Sequence, residues 1–256
     1  MIKCSTIIAQ AALTFILSLS AGLAYAESQQ QTFSHQLFDN VLRKYVDNGS
    51  VDYPSIQVSA DYHNYIDALT DEAVFDNSNE ELSYWINAYN ALAIKGILDD
   101  RSPDSFFGRI GYFYNAEYKV NGITTNLYDL EHEIIIPLGE PRIHFALNCA
   151  SASCPLLRNE TYQTEKLESQ LEDAATRFIN DETRNRFDYD SRTAYLSKIF
   201  EWFANDFASH SGSVQNYLAL YIEDKKVSNA LAKNEFNIEY LEYDWSLNGT
   251  APSFED

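Results

Sequence analysis

The segment from Arg142 to Pro155 holds most of the side chains that could do chemistry in this chain. It reads Arg-Ile-His-Phe-Ala-Leu-Asn-Cys-Ala-Ser-Ala-Ser-Cys-Pro, with His144 ten residues before Cys154. Because proline is favoured at the first position of a helix, Cys154 is predicted to lie at a helix N-terminus, which favours the thiolate. A thiolate close to a histidine is the basis of Cys–His nucleophilic catalysis. The pattern therefore predicts Cys154 as nucleophile and His144 as base.

Amide, hydroxyl and guanidinium side chains could complete such a site. The imidazole of His144 could be oriented by Asn90 or Asn148. Contacts to a substrate or an oxyanion are predicted for Asn87, Ser151 and Ser153. Arg142 could bind a substrate carboxylate, although an ion pair with one of the many acidic residues is the more ordinary role.

Cys149 and Cys154 are also open to two interpretations that involve no catalysis. In an oxidising compartment the two can form a disulfide, which would stabilise the fold by about 2 kcal/mol because its loop is short. Each can equally be a structural thiol, and Cys149 in particular resembles a small buried core residue. A redox role fits less well, because the spacing is not Cys-x-x-Cys. The catalytic thiol, the disulfide and the structural thiol all stay open at this point.

The N-terminus predicts an export signal. Met1-Ile2-Lys3 gives a positive start, an apolar stretch follows, and Ala24-Tyr25-Ala26 matches a cleavage pattern before Glu27. We expect residues 1–26 to be a signal peptide and 27–32 a polar spacer, although an uncleaved anchor is the alternative. The mature protein is then expected to be periplasmic or secreted, with no integral membrane segment.

The charge of the chain limits its partners. Lys and Arg number 18 against 38 Asp and Glu, for a formal net charge of −20 at pH 7. So acidic a surface repels phosphate backbones, and no nucleic-acid partner is expected. The expected partner is a small molecule or a peptide of unknown identity.

The clearest predicted helix begins at Ser78, where Ser78 to Glu81 forms a capping-box pattern, and continues to Leu98. No charged residue lies between Glu81 and Lys95, which indicates a central, buried helix. Asn87 and Asn90 lie on one face of it. Buried amides need partners, so the pair is predicted to hold either a ligand or neighbouring backbone.

The other patterns indicate short mixed elements. Ile143 to Leu147 is predicted to be a buried strand, with His144 and Asn148 on the face opposite Cys149. Asn121-Gly122 predicts a hairpin turn. Further predictions are a helix over 126–136, a helix capped by Thr164, a hairpin around Asp190-Ser191, an aromatic helix over 197–207 and an extended segment over 240–247. The order indicates an α+β fold over 33–256, a single domain with a central buried helix packed on a small mixed or antiparallel sheet.

A second cluster of polar side chains falls on the predicted helix over 126–136. It comprises Asp129, Glu131, His132 and Glu133. Zinc sites need a completing set of ligands, and no second histidine pair with ligand spacing occurs in the sequence. The cluster is therefore interpreted as a solvated or ion-paired face, and neither a metal nor a cofactor is predicted.

The chain resembles the family called domain of unknown function 547, DUF547, over about Phe33 to Leu247. The motifs that carry the resemblance are Trp85–Leu92, Leu127–His132, Pro141–Cys149, Ser153–Pro155, Ser197–Trp202, Asp206-Phe207 and Tyr243–Asn248. The resemblance implies an exported bacterial member and implies site positions at Asn90, His144, Cys149 and Cys154. Family members more often carry Gly where Ala150 stands, which would leave backbone room for a ligand.

A looser similarity links the chain to papain-like and transglutaminase-like folds, in which the nucleophilic cysteine lies on an early core helix. Here that helix offers Asn87 and Asn90 but no cysteine. The sequence thus leads to two hypotheses. The first is a thiol-dependent hydrolase or acyltransferase that uses Cys154 and His144. The second is a non-catalytic module that binds a peptide or small ligand, with Cys149 and Cys154 joined in a disulfide.

Overall fold

The computed structural model describes residues 32–254. The predicted signal peptide, 1–26, and residues 27–31 of the predicted spacer lie outside this range. The first described elements are short and build one side of the core: α1 (Gln36–Tyr45), β1 (Val46–Asp47), β2 (Ser50–Asp52), α2 (Tyr53–Gln57) and α3 (Ala60–Ala68).

The predicted central helix is present as α4 (Ser78–Leu98), and every residue from Leu82 to Ile94 is buried. Its cap is one residue earlier than predicted, because the side chain of Asn77, not Ser78, accepts a hydrogen bond from the Glu80 amide.

The middle of the chain is made of short helical turns and one hairpin. The turn of the hairpin is Asn121-Gly122, as predicted, and both residues have positive φ. The predicted helix over 126–136 is present as three consecutive turns of different type. The elements here are α5 (Phe106–Arg109) with a π-helical turn (Ile110–Tyr114), β3 (Tyr118–Val120), β4 (Ile123–Thr125), α6 (Leu127–Asp129), a π-helical turn (Leu130–Ile135) and a 3-10 turn (Ile136–Leu138).

The predicted buried strand over Ile143–Leu147 is wrong. Pro141–Phe145 forms a 3-10 helix instead. The Asn90 side chain bonds the carbonyl of Ala146 and the amide of Asn148, so these buried backbone groups are satisfied without a strand partner. Apolar residues in succession indicated burial correctly, but they did not distinguish a strand from a short helix.

The second half of the chain is largely helical. Thr164 does not cap the long helix, which begins at Leu167 after a turn, and the predicted aromatic helix over 197–207 is divided at Phe203. The elements are α7 (Leu167–Ile179), β5 (Arg186–Asp188), β6 (Thr193–Leu196), α8 (Ile199–Trp202), α9 (Ala204–Ser211), α10 (Val214–Tyr221), α11 (Lys225–Leu231), β7 (Asn237–Tyr240) and β8 (Gly249–Thr250).

The fold is a single α+β globular domain, as predicted, but the strands within residues 32–254 belong to three small sheets and not to one. The sheets have the orders β1-β2-β8, β3-β4 and β5-β6-β7, and β8 and β7 each join in parallel. The central helix α4 packs against α2, α6 and the π-helical turn after α6.

In the part of the chain that the structure describes, two groups of apolar side chains form the core. The larger surrounds α4, and the smaller collects Phe145, Phe178, Phe200 and Phe207 from the second half. In residues 32–254, no helix combines the length and the apolar character needed to cross a bilayer.

Candidate functional site

A cavity of about 770 Å³ lies among α4, the π-helical turns and the segment that contains both cysteines. This volume is in the range of small-molecule sites. Polar groups reach it from His144, Glu131, His132 and Arg109. Nine aromatic residues contribute to its wall: Tyr89, Phe106, Phe113, Tyr114, Tyr128, Trp202, Phe203, Tyr243 and Trp245.

His144 lies in the wall of the cavity at the 3-10 helix Pro141–Phe145, with its side chain 1% exposed. Its ring stacks on Phe203 with centroids 3.9 Å apart. Nε2 lies 2.8 Å from Oδ2 of Asp206, which α9 contributes. Burial lowers the pKa of His144, and the hydrogen bond to His144 lowers the pKa of Asp206. At neutral pH the pair is therefore a neutral imidazole and a carboxylate.

This protonation state fixes the hydrogen-bonding roles of the ring. Nε2–H donates to Asp206, which leaves Nδ1 as an acceptor. Nδ1 is buried and has no hydrogen-bond partner among the described residues. A buried acceptor without a partner is uncommon in folded proteins and fits a group that a ligand completes.

Cys149 and Cys154 both line the cavity, and their sulfurs are joined in a disulfide. Cys154 is followed by irregular chain and not by a helix, so the predicted helix N-terminus at Pro155 is wrong. The sulfur of Cys154 lies instead near backbone and hydroxyl donors. The donors are the Cys149 amide at 2.9 Å, the Tyr243 hydroxyl at 3.2 Å and the Ser151 hydroxyl at 3.3 Å.

Asn148 closes the loop that carries the disulfide. Its Nδ2 donates to the carbonyl of Pro155 at 2.7 Å, and its Oδ1 accepts from the amide of Ala150 and from Nδ2 of Asn248. These bonds occupy the amide, so Asn148 shapes the loop and does not orient His144.

Asn87 and Asn90 hold neighbouring backbone, one of the two roles that the sequence left open. Asn87 bonds the amide and the carbonyl of Tyr162. Asn90 bonds the carbonyl of Ala146 and the amide of Asn148. Neither asparagine lines the cavity or contacts His144, and Tyr89 is the residue of this turn of α4 that lines it.

The segment from Tyr243 to Asn248 pairs with one side of the disulfide loop. Backbone amides of Ala152 and Ser153 donate to carbonyls of Ser246 and Asp244, and the Ser153 hydroxyl accepts from the Asp244 amide. This pairing positions Tyr243 and Trp245 in the cavity wall. Ser153 therefore holds the segment Tyr243–Asn248 in place and does not line the cavity.

Arg142 does not reach the cavity. Its guanidinium makes two hydrogen bonds to Glu140 and two to Glu168, and Glu172 lies 3.5 Å away. These hydrogen bonds raise its pKa. The ion pair, one of the two roles considered for Arg142, is the one that the structure contains.

The cluster at Asp129 to Glu133 is divided by the π-helical turn. Glu131 and His132 line the cavity, whereas Asp129 and Glu133 are exposed. Burial raises the pKa of Glu131 to about 7, and the nearby Asp206 carboxylate adds to the effect. The Tyr89 hydroxyl donates to Glu131 at 3.2 Å. The interpretation as a solvated face therefore holds for the outer pair and fails for the inner one.

Sequence reasoning missed Asp206, which hydrogen-bonds the imidazole of His144, and Tyr243, whose hydroxyl lies near both sulfurs. Both lie in motifs of the family resemblance, Asp206-Phe207 and Tyr243–Asn248, and that was the available signal. Their distance along the chain from His144 gave no indication of contact. Among the described residues, no group of three or more His, Cys, Asp or Glu side chains is arranged to hold a metal ion.

Residues 75–179 match the family model described as "Protein of unknown function, DUF547". This part of the chain belongs to the DUF547 family. The match includes α4, the π-helical turns, His144 and both cysteines, whereas Asp206, Tyr243 and Trp245 lie beyond it. No curated protein and no solved structure matches the chain.

The backbone conformation of Ala150 bears on the glycine that the DUF547 resemblance implies at this position. Its φ is +62°, in the left-handed region that glycine adopts without cost. Ala150 is also buried, with 1% of its surface exposed. This backbone conformation favours glycine at position 150.

Proposed function

We propose that this DUF547 protein is a ligand-binding domain that takes an aromatic or apolar side chain of a peptide into the 770 Å³ cavity. The observation that carries the proposal is an aromatic wall combined with a buried acceptor, His144 Nδ1, that has no partner among the described residues. Aromatic walls favour flat apolar groups, and the acceptor favours a ligand with an N–H, O–H or S–H donor. The disulfide forms part of the wall.

The mouth of the cavity supports a peptide as the ligand. Phe106, Tyr114 and Trp202 line it and remain 65%, 49% and 46% exposed, so apolar surface continues from the cavity to the outside. Exposed apolar surface of this kind marks binding sites. Backbone amides of a peptide supply donors, and the acidic surface disfavours polyanionic ligands.

Binding can be measured by the fluorescence of Trp202 and Trp245, both in the cavity wall. We expect acetyl-Gly-Phe-Gly amide to change this fluorescence in a saturable way, and acetyl-Gly-Ala-Gly amide to change it much less. Tyr114→Ala should weaken binding about tenfold through lost aromatic contact. Tyr189→Ala is the matched control, because Tyr189 is also partly exposed and lies outside the cavity. Equal binding of the two peptides, or equal effects of the two variants, would contradict the proposal.

A second candidate function is a thiol-dependent hydrolase or acyltransferase, which the His144–Asp206 pair favours. After reduction of the disulfide, the Cys154 thiol would pass its proton to His144 Nδ1 and its sulfur would add to a carbonyl carbon. The leaving group would depart with that proton and leave a thioester on Cys154. Water or an acceptor nucleophile would then add to the thioester carbonyl and release the Cys154 thiol, while Asp206 orients the imidazole. Asp206 replaces Asn90 and Asn148 in this role, since both asparagines bond backbone.

A peptidyl chloromethyl ketone tests this candidate, because a catalytic sulfur displaces its chloride. We expect labelling at Cys154 only after reduction, and at least tenfold slower labelling in His144→Asn. His63→Asn, at an exposed histidine outside the cavity, is the control. Equal labelling of both variants would exclude His144 as the base.

We further propose that the protein is exported and that residues 1–26 are removed. Disulfides persist in oxidising compartments, which agrees with the bond between Cys149 and Cys154. Intact-mass analysis of periplasmic protein should give a mature chain that begins at Glu27. Cytoplasmic protein of full length would contradict the proposal.

A further inference from the structure

The two sulfurs of the disulfide lie in unequal surroundings. Cys154 Sγ has three donors nearby, the backbone amide of Cys149 and the hydroxyls of Tyr243 and Ser151, all within 3.3 Å. Burial raises the pKa of Tyr243, so its hydroxyl keeps its proton. Donors around a sulfur stabilise it as a thiolate.

Cys149 Sγ shares the two hydroxyls, at 3.1 Å from Ser151 and 3.2 Å from Tyr243, but has no backbone donor among the described contacts. Cys149 is also the more accessible residue, because Cys154 is only 3% exposed. Both line the cavity. A nucleophile that enters the cavity would therefore reach Cys149 first and release Cys154.

We infer that the Cys149–Cys154 disulfide exchanges with thiols of a cysteine-containing peptide held in the cavity. The substrate class rests on the proposed function, whereas the reactivity of the disulfide rests on the donors alone. The Cys-x₄-Cys spacing argued against a redox role, but spacing carries no information on Tyr243, which lies 89 residues after Cys154.

The exchange proceeds in two steps. A peptide thiolate attacks Cys149 Sγ, the disulfide breaks, and Cys154 leaves as a thiolate that the three donors stabilise. A second peptide thiolate then attacks the peptide sulfur of the mixed disulfide and releases Cys149 as a thiolate. The peptide gains a disulfide and the protein gains two electrons. A low-molecular-weight disulfide reoxidises the protein and is reduced to two thiols.

A structural role alone explains the arrangement less well. A bridge that closes so short a loop adds only about 2 kcal/mol. Asn148 already closes the same loop with hydrogen bonds to Pro155, Ala150 and Asn248. A purely structural disulfide also needs no accessible sulfur in a ligand-sized cavity.

The first test is the rate at which dithiothreitol reduces the folded protein, followed by alkylation and intact mass. We expect reduction without unfolding, and reduction about tenfold slower in Tyr243→Phe, the effect of removing one hydrogen bond to a charged group. Tyr128→Phe is the control, since Tyr128 lines the same cavity and its hydroxyl bonds neither sulfur. Reduction only under unfolding conditions, or equal rates in both variants, would overturn the inference.

The second test compares how accessible each cysteine is to a disulfide reagent and does not depend on Tyr243. Cys154→Ala and Cys149→Ala are each treated with glutathione disulfide, after circular dichroism has established that each is folded. We expect glutathione to add at least tenfold faster to Cys149 than to Cys154, because Cys154 is buried. The opposite order would overturn the assignment of Cys149.

A third comparison separates this inference from the proposed function. Reduced acetyl-Phe-Cys-Gly amide and acetyl-Ala-Cys-Gly amide are compared as thiols. If the Phe peptide reacts faster, both proposals are supported. If the two peptides react at equal rates while Tyr243→Phe still slows reduction, only the proposal of an aromatic ligand is overturned. Binding of the Phe peptide by fluorescence without any exchange would overturn the reactive disulfide alone.

Discussion

His144 and Glu131 give the cavity two acid–base groups of different character. His144 is neutral because burial disfavours its charge, and Asp206 selects the tautomer. Glu131 has a pKa of about 7, so it is partly protonated near neutral pH. A ligand in the cavity therefore meets an acceptor at His144 and a group that can donate or accept at Glu131.

The raised pKa of Glu131 predicts a pH-dependent stability. Its pKa is about 7 in the folded protein against 4.5 normally, so the folded state binds the proton more tightly and loses stability as the pH rises between these values. Glu131→Gln removes this loss and should be more stable than the wild type by about 1–3 kcal/mol at pH 8. Urea unfolding at pH 4 and pH 8 measures the difference.

The control for this prediction is Glu133→Gln, at an exposed position of the same turn. We expect it to change the free energy of unfolding by less than about 0.5 kcal/mol at either pH. A Glu131→Gln variant with the same pH profile as the wild type would show that the carboxyl titrates normally.

The left-handed backbone of Ala150 predicts that the fold tolerates glycine at this position. An L-residue in the left-handed region costs about 1–2 kcal/mol, so Ala150→Gly relieves strain while it removes one buried methyl group. Ala146→Gly, at a buried alanine with φ of −108°, removes a similar methyl without that relief. We expect Ala150→Gly to be less destabilising than Ala146→Gly by about 1–2 kcal/mol in urea unfolding. Equal losses would mean that Ala150 carries no backbone strain.

Helix α4 acts as a scaffold through its two asparagines. Asn87 and Asn90 each satisfy one amide and one carbonyl of buried backbone on other segments, and the Asn90 contacts lie directly before the disulfide loop. Short 3-10 and irregular segments cannot satisfy these groups themselves. The side-chain amides of Asn87 and Asn90 therefore supply hydrogen bonds that neighbouring strands would supply in a sheet.

Replacing either asparagine with alanine should be strongly destabilising. Asn90→Ala leaves two buried backbone groups without partners, and we expect a loss of about 3 kcal/mol, with a similar loss for Asn87→Ala. Ser83→Ala is the control on the same helix, because its hydroxyl bonds only the carbonyl of Glu80 and approaches Thr164 at 3.5 Å. Its loss should stay within about 1 kcal/mol. Similar losses in all three variants would show that general packing, not the backbone bonds, is responsible.

At the element scale, the sequence predicted what depends on local patterns. The burial of α4 followed from its lack of charge, and the β3–β4 hairpin followed from Asn121-Gly122. The 3-10 helix at Pro141–Phe145 was predicted as a strand, because continuous burial has no period that separates the two. The side chain of Asn90 bonds the backbone directly after this 3-10 helix. Asn90 is distant in sequence, so a local pattern does not reveal the contact.

The candidate site was predicted in part for the same reason. The sequence predicted that His144 and Cys154 share one cavity. It placed Cys149 on the opposite face of a strand, whereas all three residues line the cavity. Asp206, Tyr243 and Trp245 come from the last quarter of the chain, and only the tertiary fold brings them to the cavity. Spacing also indicated Asn148 as a site residue, but could not reveal that its amide closes the loop.

At the scale of the whole molecule, the C-terminal segment connects the site to the first elements of the fold. Residues 243–248 pair with the disulfide loop, β8 joins β2 in parallel, and Asn248 accepts a hydrogen bond from the Tyr53 hydroxyl. The segment also contributes Tyr243 and Trp245 to the cavity. Because one segment does both, stability and the integrity of the site should be lost together.

Truncation tests this coupling. A chain that ends at Glu242 loses Tyr243, Trp245 and β8, and we expect its free energy of unfolding to fall by at least about 3 kcal/mol, from several lost backbone hydrogen bonds and buried aromatic surface. A chain that ends at Thr250 keeps all of these and should match the wild type within about 0.5 kcal/mol. Urea unfolding gives the stabilities, and the rate of disulfide reduction by dithiothreitol reports on the loop. If the shorter chain is stable and its disulfide reacts at the wild-type rate, the C-terminal segment is not part of the site, and the role assigned to Tyr243 fails with it.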